Sequence, residues 1–232
     1  MNRGINNMSY GFTLVEILVA TIIFAIIMIA VFSSFQGFVI SGRAIGRRTA
    51  MNNITQTIYT RIASDLESIF ITQPPRFSPP EFHGSHDPYR LYSIQEPAGN
   101  SIFSAVQFAS LAHIPCGTDK RNGVAQISYY IRKNSDDTYD LVRSDHLPPF
   151  PDKVKSCTDP VLCRNISGFD IIYTDNSGKK YNTWDSDDKE FEFGFPCTME
   201  FKIRLGRGSH NRMLDIIIPI MAERIIHEPD HP

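Results

Sequence analysis

Residues 12–32 read FTLVEILVATIIFAIIMIAVF, with Glu16 the single charge in the run. Roughly 20 residues, rising about 1.5 Å each as a helix, cross the hydrocarbon core of a bilayer, so this stretch is long enough to span a membrane. On its N-terminal side lies MNRGINNMSYG, residues 1–11, a short polar leader whose only charge is Arg3. On the other side stand Arg43, Arg47 and Arg48. A general secretory signal has a shorter apolar core followed by a small-x-small exit. No such exit follows here, and the run reads as one that stays in the membrane.

An ordinary signal anchor explains the hydrophobicity but not Glu16. A carboxylate at membrane depth costs roughly 2.5–3.5 kcal/mol on insertion scales, and such groups are as a rule paired and functional. Glu16 sits one helical turn inside the run, where snorkelling lowers the penalty without removing it.

The residues Gly11, Phe12, Thr13, Leu14, Val15 and Glu16, behind a short polar leader and ahead of an apolar helix, resemble the class III signal of type IV pilins and pseudopilins. The resemblance implies that a prepilin peptidase cuts after Gly11 and methylates the new N-terminal Phe12. It further implies that Glu16, fifth in the mature chain, pairs with the N-terminal amine of a neighbouring subunit. Pairing removes an isolated charge from the membrane and sets the register of a growing stack. That role is assembly, and no enzyme activity is expected. The competing class, a membrane-anchored periplasmic enzyme or sensor, would retain its leader.

Beyond the membrane the helix is expected to continue. Met51, Ile54, Ile58, Ile62, Leu66 and Ile69 recur at spacings of three and four and mark one apolar face. Asn52, Asn53, Thr57, Arg61, Ser64 and Glu67 lie on the other. The pattern stops at Gln73, before Pro74 and Pro75, which cannot continue a helix. Residues 74–87 read as a loop, and alternating segments follow at 124–132, 138–144, 166–174, 198–205 and 212–221. In the fourth, Met199, Phe201, Ile203 and Leu205 face one way and Thr198, Glu200, Lys202 and Arg204 the other. Pro219 places the last strand at an edge. Residues 133–137 and 175–178 are turns. Strands without intervening helices predict an α+β fold, with a long N-terminal helix packed on an antiparallel sheet. The expected organisation is a leader at 1–11, a transmembrane and assembly helix at 12–40, an amphipathic periplasmic helix at 41–73, and a β-rich domain at 74–232.

Tyr129 and Tyr130, Leu141 to Arg143, Phe169 to Asp175 with Gly178, Trp184, and Pro196 leading into 198–205 succeed one another as in pseudopilin J, the larger minor pseudopilin of type II secretion. Asp65 and Leu66, late in the long helix, are similar to that family too. The resemblance implies a single-pass protein of the bacterial inner membrane with its C-terminal domain in the periplasm. Its implied partners are the I and K minor pseudopilins in a tip complex, the major pseudopilin and the prepilin peptidase. A minor pilin of a type IV pilus is built on the same plan and is the alternative.

Composition narrows the other classes. A hydrophobic content of 42% with 16 phenylalanines is enough for a real core. A net charge of −2 gives no general basic footprint for nucleic acid. Cys116, Cys157, Cys163 and Cys197 all follow the apolar run, and an even count on the exported side suggests disulfides. Three connectivities are open. The short Cys157–Cys163 spacing suits a small loop and leaves Cys116 with Cys197. The clustering that zinc requires is lacking. His83 and His86, in a proline-rich loop, read as solvated, and so does the acidic turn of Asp185, Asp187, Asp188 and Glu190, for which calcium is the competing reading. No cofactor is implied.

Overall fold

The computed structural model of the chain describes residues 13–80, 84–99, 101–115, 121–134, 138–150, 158–206 and 212–225, with no side-chain detail for 39–48, 50 and 51. Two compact units divide it, 1–53 and 54–232. One α-helix, α1 (Leu14–Glu67), is shared between them.

In the first unit, α1 carries the apolar span Leu14–Phe38, long and apolar enough to cross a membrane. Every side chain of that span is exposed, from Leu14 at 83% to Phe38 at 79%. A helix that is apolar on all sides needs apolar surroundings along its whole circumference.

In the second unit the helix behaves differently. Ile58, Ile62 and Leu66, four residues apart, are buried, while Asn53, Thr57 and Glu67 on the other side are exposed. The buried stripe is narrower than the sequence suggests, since Ile54 is 40% exposed. The helix also stops at Glu67 and not at Gln73. Beyond it the backbone turns extended: Leu111 N–H donates to Ser68 O (2.9 Å), Phe70 N–H donates to Ala109 O (2.8 Å), and Ile69 bridges Ser110. The Ser110 hydroxyl donates to Asp65 O at 2.7 Å, satisfying one of the carbonyls a helix end leaves orphaned.

That strand end belongs to an element the alternation of the sequence did not reveal. The sheet comprises β1 (Tyr92–Ala98), β2 (Ser101–Ser110), β3 (Ala125–Lys133), β4 (Tyr139–His146), β5 (Val161–Thr174), β6 (Lys180–Tyr181), β7 (Thr198–Leu205) and β8 (Arg212–Pro219). All pairings are antiparallel, in the order β1-β2-β3-β4-β5-β7-β8, with β6 beside β5. The α+β architecture is therefore as expected, with β8 and its Pro219 at an edge. The turn at 175–178 is also in place: the Asp175 carboxylate accepts from Ser177 N–H (2.8 Å) and Lys179 N–H (2.9 Å), and Gly178 takes φ +84°. The tip of the expected turn at 133–137 lies outside the described residues.

The sheet curls, and Ile171 N–H of β5 donates to the Ser104 hydroxyl of β2 across its inner face (3.0 Å). That face holds the core. Phe108 stacks on Tyr129, and Phe201 meets both Tyr129 and Phe169, each pair of ring centroids 6.3 Å apart. Met199, Phe201, Ile203 and Leu205 all point inward, as their alternation predicts.

Candidate assembly site

Thr13 stands immediately before α1, and Glu16 is the third residue of the helix. The Thr13 hydroxyl accepts from Glu16 N–H (3.3 Å), while Glu16 Oε2 accepts from both the Thr13 N–H and the Thr13 hydroxyl (3.0 Å each). This is a reciprocal capping box, in which side chains satisfy donors that a helix start leaves free. The Thr-x-x-Glu spacing was present in the sequence and sequence reasoning passed over it. Among the described residues no basic side chain lies within ion-pair distance of Glu16. Gly11 and Phe12, the predicted cleavage and methylation positions, lie outside the described residues.

At the far end of α1 a second polar cluster fastens the helix to the sheet. Asp65, fully buried, receives Arg143 Nε (2.7 Å) and Nη2 (3.0 Å), the Tyr129 hydroxyl (2.5 Å), and Arg61 from its own helix. Arg143 continues to Asp145 (2.8 Å), whose other oxygen meets His113 Nδ1 (2.6 Å). Arg61 also donates to Ala112 O (2.5 Å). A forked guanidinium against a carboxylate gives a charged pair its best geometry, and burial of such a pair is tolerated only when the remaining donors and acceptors are met. Burial alone would favour the neutral form of Arg143, but the bonds to Asp65 outweigh it and hold the guanidinium charged. The Tyr129 hydroxyl is pushed far up, first by burial and then by the charge of Asp65.

The other predicted positions are dispersed. Cys163 is buried and Cys197 partly exposed, and both carry free thiols. Cys157 and Cys116, the other halves of the expected pairs, lie outside the described residues. His86 is exposed, and His83 also falls outside. The acidic turn is solvated only in part: Asp188 and Glu190 are exposed as expected, and Asp185 and Asp187 are not. Asp185 pairs with Arg90 (3.0 Å), Asp187 is buried beside Arg224 (3.6 Å) and accepts from Asp87 N–H (2.7 Å), and Asp188 caps the 3₁₀ turn Lys189–Phe191. The carboxylates of Asp185, Asp187 and Asp188 are already engaged by arginines and amides, and no group of three metal-ligating side chains occurs among the described residues.

The prokaryotic N-terminal methylation motif matches residues 6–32, from within the leader to the end of the apolar run. Together with the apolar N-terminal helix, the motif supports a type IV pilin-like or pseudopilin protein. The capping box falls at the start of the helix that carries this motif, and the Asp65 cluster joins the far end of the same helix to the sheet. No curated protein matches the chain.

Proposed function

We propose that this pilin-like chain is a minor pseudopilin of the type II secretion system, a structural subunit of the pseudopilus tip that supports protein export across the outer membrane. The observation that carries the reading is the methylation motif at 6–32, set on an unbroken helix whose far end is clamped to an antiparallel sheet. Three residues whose order resembles pseudopilin J, namely Asp65, Tyr129 and Arg143, converge in that clamp, which favours this reading over a minor pilin of a type IV pilus. In this role α1 anchors in the inner membrane and the sheet domain lies in the periplasm. The I and K minor pseudopilins and the major pseudopilin are its partners, and a prepilin peptidase is its processing enzyme.

The test combines processing with assembly. The mature protein is expected to begin at Phe12 with a methylated amine, and Gly11→Leu to keep residues 1–11 and to fail in secretion. Unchanged mature mass in Gly11→Leu would sink the processing step. Co-purification with type IV pilus subunits in place of the I and K pseudopilins would move the chain to the alternative.

A further inference from the structure

The sheet ends in two outer strands, β1 and β8, and the chain treats them differently. An edge strand presents a row of unpaired N–H and C=O groups, a template for another chain that proteins as a rule cover or blunt. The β1 edge is covered from within. Ser93 N–H donates to Trp184 O (2.8 Å), Ser186 N–H donates to Leu91 O (2.9 Å), and Tyr92 bridges Asp185. Pro97, nearer the end of β1, has no N–H to offer.

The β8 edge has no such cover. Ile220 N–H, one step past the strand, donates to Cys197 O (2.8 Å), and the register continues through Ile218 with Met199, Ile216 with Phe201 and Leu214 with Ile203. In an antiparallel ladder alternate residues turn their backbone groups to the same neighbour. The even-numbered residues therefore face β7, and Met213, Asp215 and Ile217 face outward. Pro219 belongs to the outward set, where its missing N–H costs the ladder nothing. Among the described residues no hydrogen bond reaches the backbone groups of Met213, Asp215 or Ile217.

The side chains of these three residues add a pattern. Met213 is 58% and Ile217 63% exposed, and Asp215 between them is exposed with no ion pair among the described residues. Its neighbour on β7, Lys202, is already paired with Glu200 (3.2 Å). The outer row thus reads apolar, acidic, apolar at every second residue. A strand laid alongside sets its own side chains opposite these three, and the matching row is apolar, basic, apolar. A second copy of β8 does not match. Antiparallel self-pairing centred on Asp215 puts two carboxylates face to face, which is destabilising. Centred on Ile217, it puts Pro219 opposite Asp215 at both ends and forfeits a ladder bond at each.

We infer that the free edge of β8 receives an extended segment of a partner protein, added to the sheet as an antiparallel strand. Apolar residues of that segment lie opposite Met213 and Ile217, and a lysine or arginine lies opposite Asp215. Main-chain bonds supply the attraction and the alternate side chains the specificity. The site is independent of the secretion role proposed above and stands or falls separately from it.

The experiment titrates the detergent-solubilised full-length protein into a fluorescein-tagged peptide, Thr-Val-Thr-Lys-Thr-Val-Thr, and reads anisotropy. Saturable binding is expected, about three- to tenfold weaker when glutamate replaces the lysine. Asp215→Lys should reverse that preference. Methylating the backbone nitrogen of the peptide's lysine removes a bond to the edge and should abolish binding. The same change on the threonine that follows, whose N–H faces away, should be tolerated. Ile217→Pro removes an edge donor and should weaken binding; should that variant fail to fold, the charge reversal and the two methylated peptides still decide. Absence of saturable binding, equal affinity for the lysine and glutamate peptides, or equal loss from both methylations overturns the site. Sedimentation of the protein alone supplies the last outcome. Concentration-dependent dimers that disappear in Asp215→Lys or Ile217→Pro would give the edge to a second copy and overturn the proposal.

Discussion

At the scale of the residue, Glu16 has one task in the structure and another in the proposed function, and substitution can separate them. Its carboxylate closes the capping box with Thr13, and in the proposal its charge pairs with a neighbouring subunit's amine. Glu16→Gln keeps the acceptor that the box uses and removes the charge, whereas Glu16→Ala removes both. If charge pairing drives assembly, the glutamine variant should be inserted and processed yet be as defective in secretion as the alanine variant. Secretion at the native level in Glu16→Gln would assign the residue to capping alone. Cys163 supplies a second residue-scale test. Burial, assisted by the charge of Asp140, pushes its thiol from the ordinary 9.0 up to about 11. Only the thiolate reacts, so its alkylation at pH 8 should be roughly a hundredfold slower in the folded protein than after unfolding. Mass-spectrometric mapping of iodoacetamide adducts against time measures this, and equal rates in the two states would contradict the burial. The motif from Gly11 to Glu16 was legible because its parts are neighbours in sequence, although the capping box inside it was passed over. The environment of Cys163 was not, because Asp140 and Leu141 of β4, more than twenty residues away in sequence, help create it.

At the scale of the element, the junction of α1 with β3 and β4 rests on charges that are dry. Removing one partner of a buried pair typically costs about 3–5 kcal/mol, so Arg143→Ala should lower the melting temperature by many degrees. Arg143→Lys should recover only part of the loss, because a lysine cannot present the fork that Asp65 receives. Asp145 in the same cluster makes the junction sensitive to acid. Burial raises its pKa, but the Ile114 N–H, His113 and Arg143 together outweigh burial and bring it below the ordinary 3.8. A depressed carboxylate contributes stability that is complete above its unfolded value and is lost as pH falls through the folded one. Denaturant titrations at pH 6, 4 and 3 should therefore show Asp145→Asn losing less stability on acidification than the native chain. Identical pH profiles would remove Asp145 from the account. The sequence pointed to β3, β4, β5, β7 and β8 because each alternates or ends at a strong turn. It hid β1 and β2 for physical reasons. Ser104, Phe108, Ala109 and Ser110 in β2 are buried on both faces, which erases alternation, and β1 carries Pro97, which reads as a strand breaker although it pairs with Ile102 at the sheet edge. The one available signal was the Gly99-Asn100 pair between them. Gly99 adopts φ +61°, and a Cβ there would meet the Tyr139 hydroxyl at 2.5 Å, so the turn needs glycine. Missing β2 also misplaced the end of the helix, since the last expected turn belongs to the segment that pairs with it.

At the scale of the sheet domain, Arg224 ties together three segments distant in sequence. Its guanidinium donates to Asp87 Oδ2 (3.0 Å), to Ser186 O (2.9 Å) and to Phe193 O (3.0 Å), and it stacks 3.5 Å from the centroid of Phe77. Gln73 reinforces the same corner by donating to Glu223 O (2.7 Å) and accepting from Ile225 N–H (3.0 Å), a side chain standing in for a strand. Arg224→Ala leaves Asp87 and Asp187 buried without their cation. The expected result is a loss of about 3–5 kcal/mol and a joint rise of hydrogen exchange in residues 84–91 and 184–196. Exchange that rises in only one of the two segments would show that the arginine does not couple them. Nothing in the sequence singled out Arg224, because its partners converge only after the whole sheet has formed.

The contact of Tyr129 and Phe169 with Phe201 has a consequence for synthesis. A nascent chain on the ribosome presents α1 first, then β1 to β5, and the aromatic inner face stays uncovered until β7 delivers Phe201. At about 5–20 residues per second, that interval is long compared with the microseconds in which a helix or hairpin forms. During it the stripe of Ile58, Ile62 and Leu66 has only an unfinished surface to dock on. The apolar segment of α1 is thus ready for a bilayer well before the domain behind it can close. The apolar span thus precedes closure of the sheet in translation order.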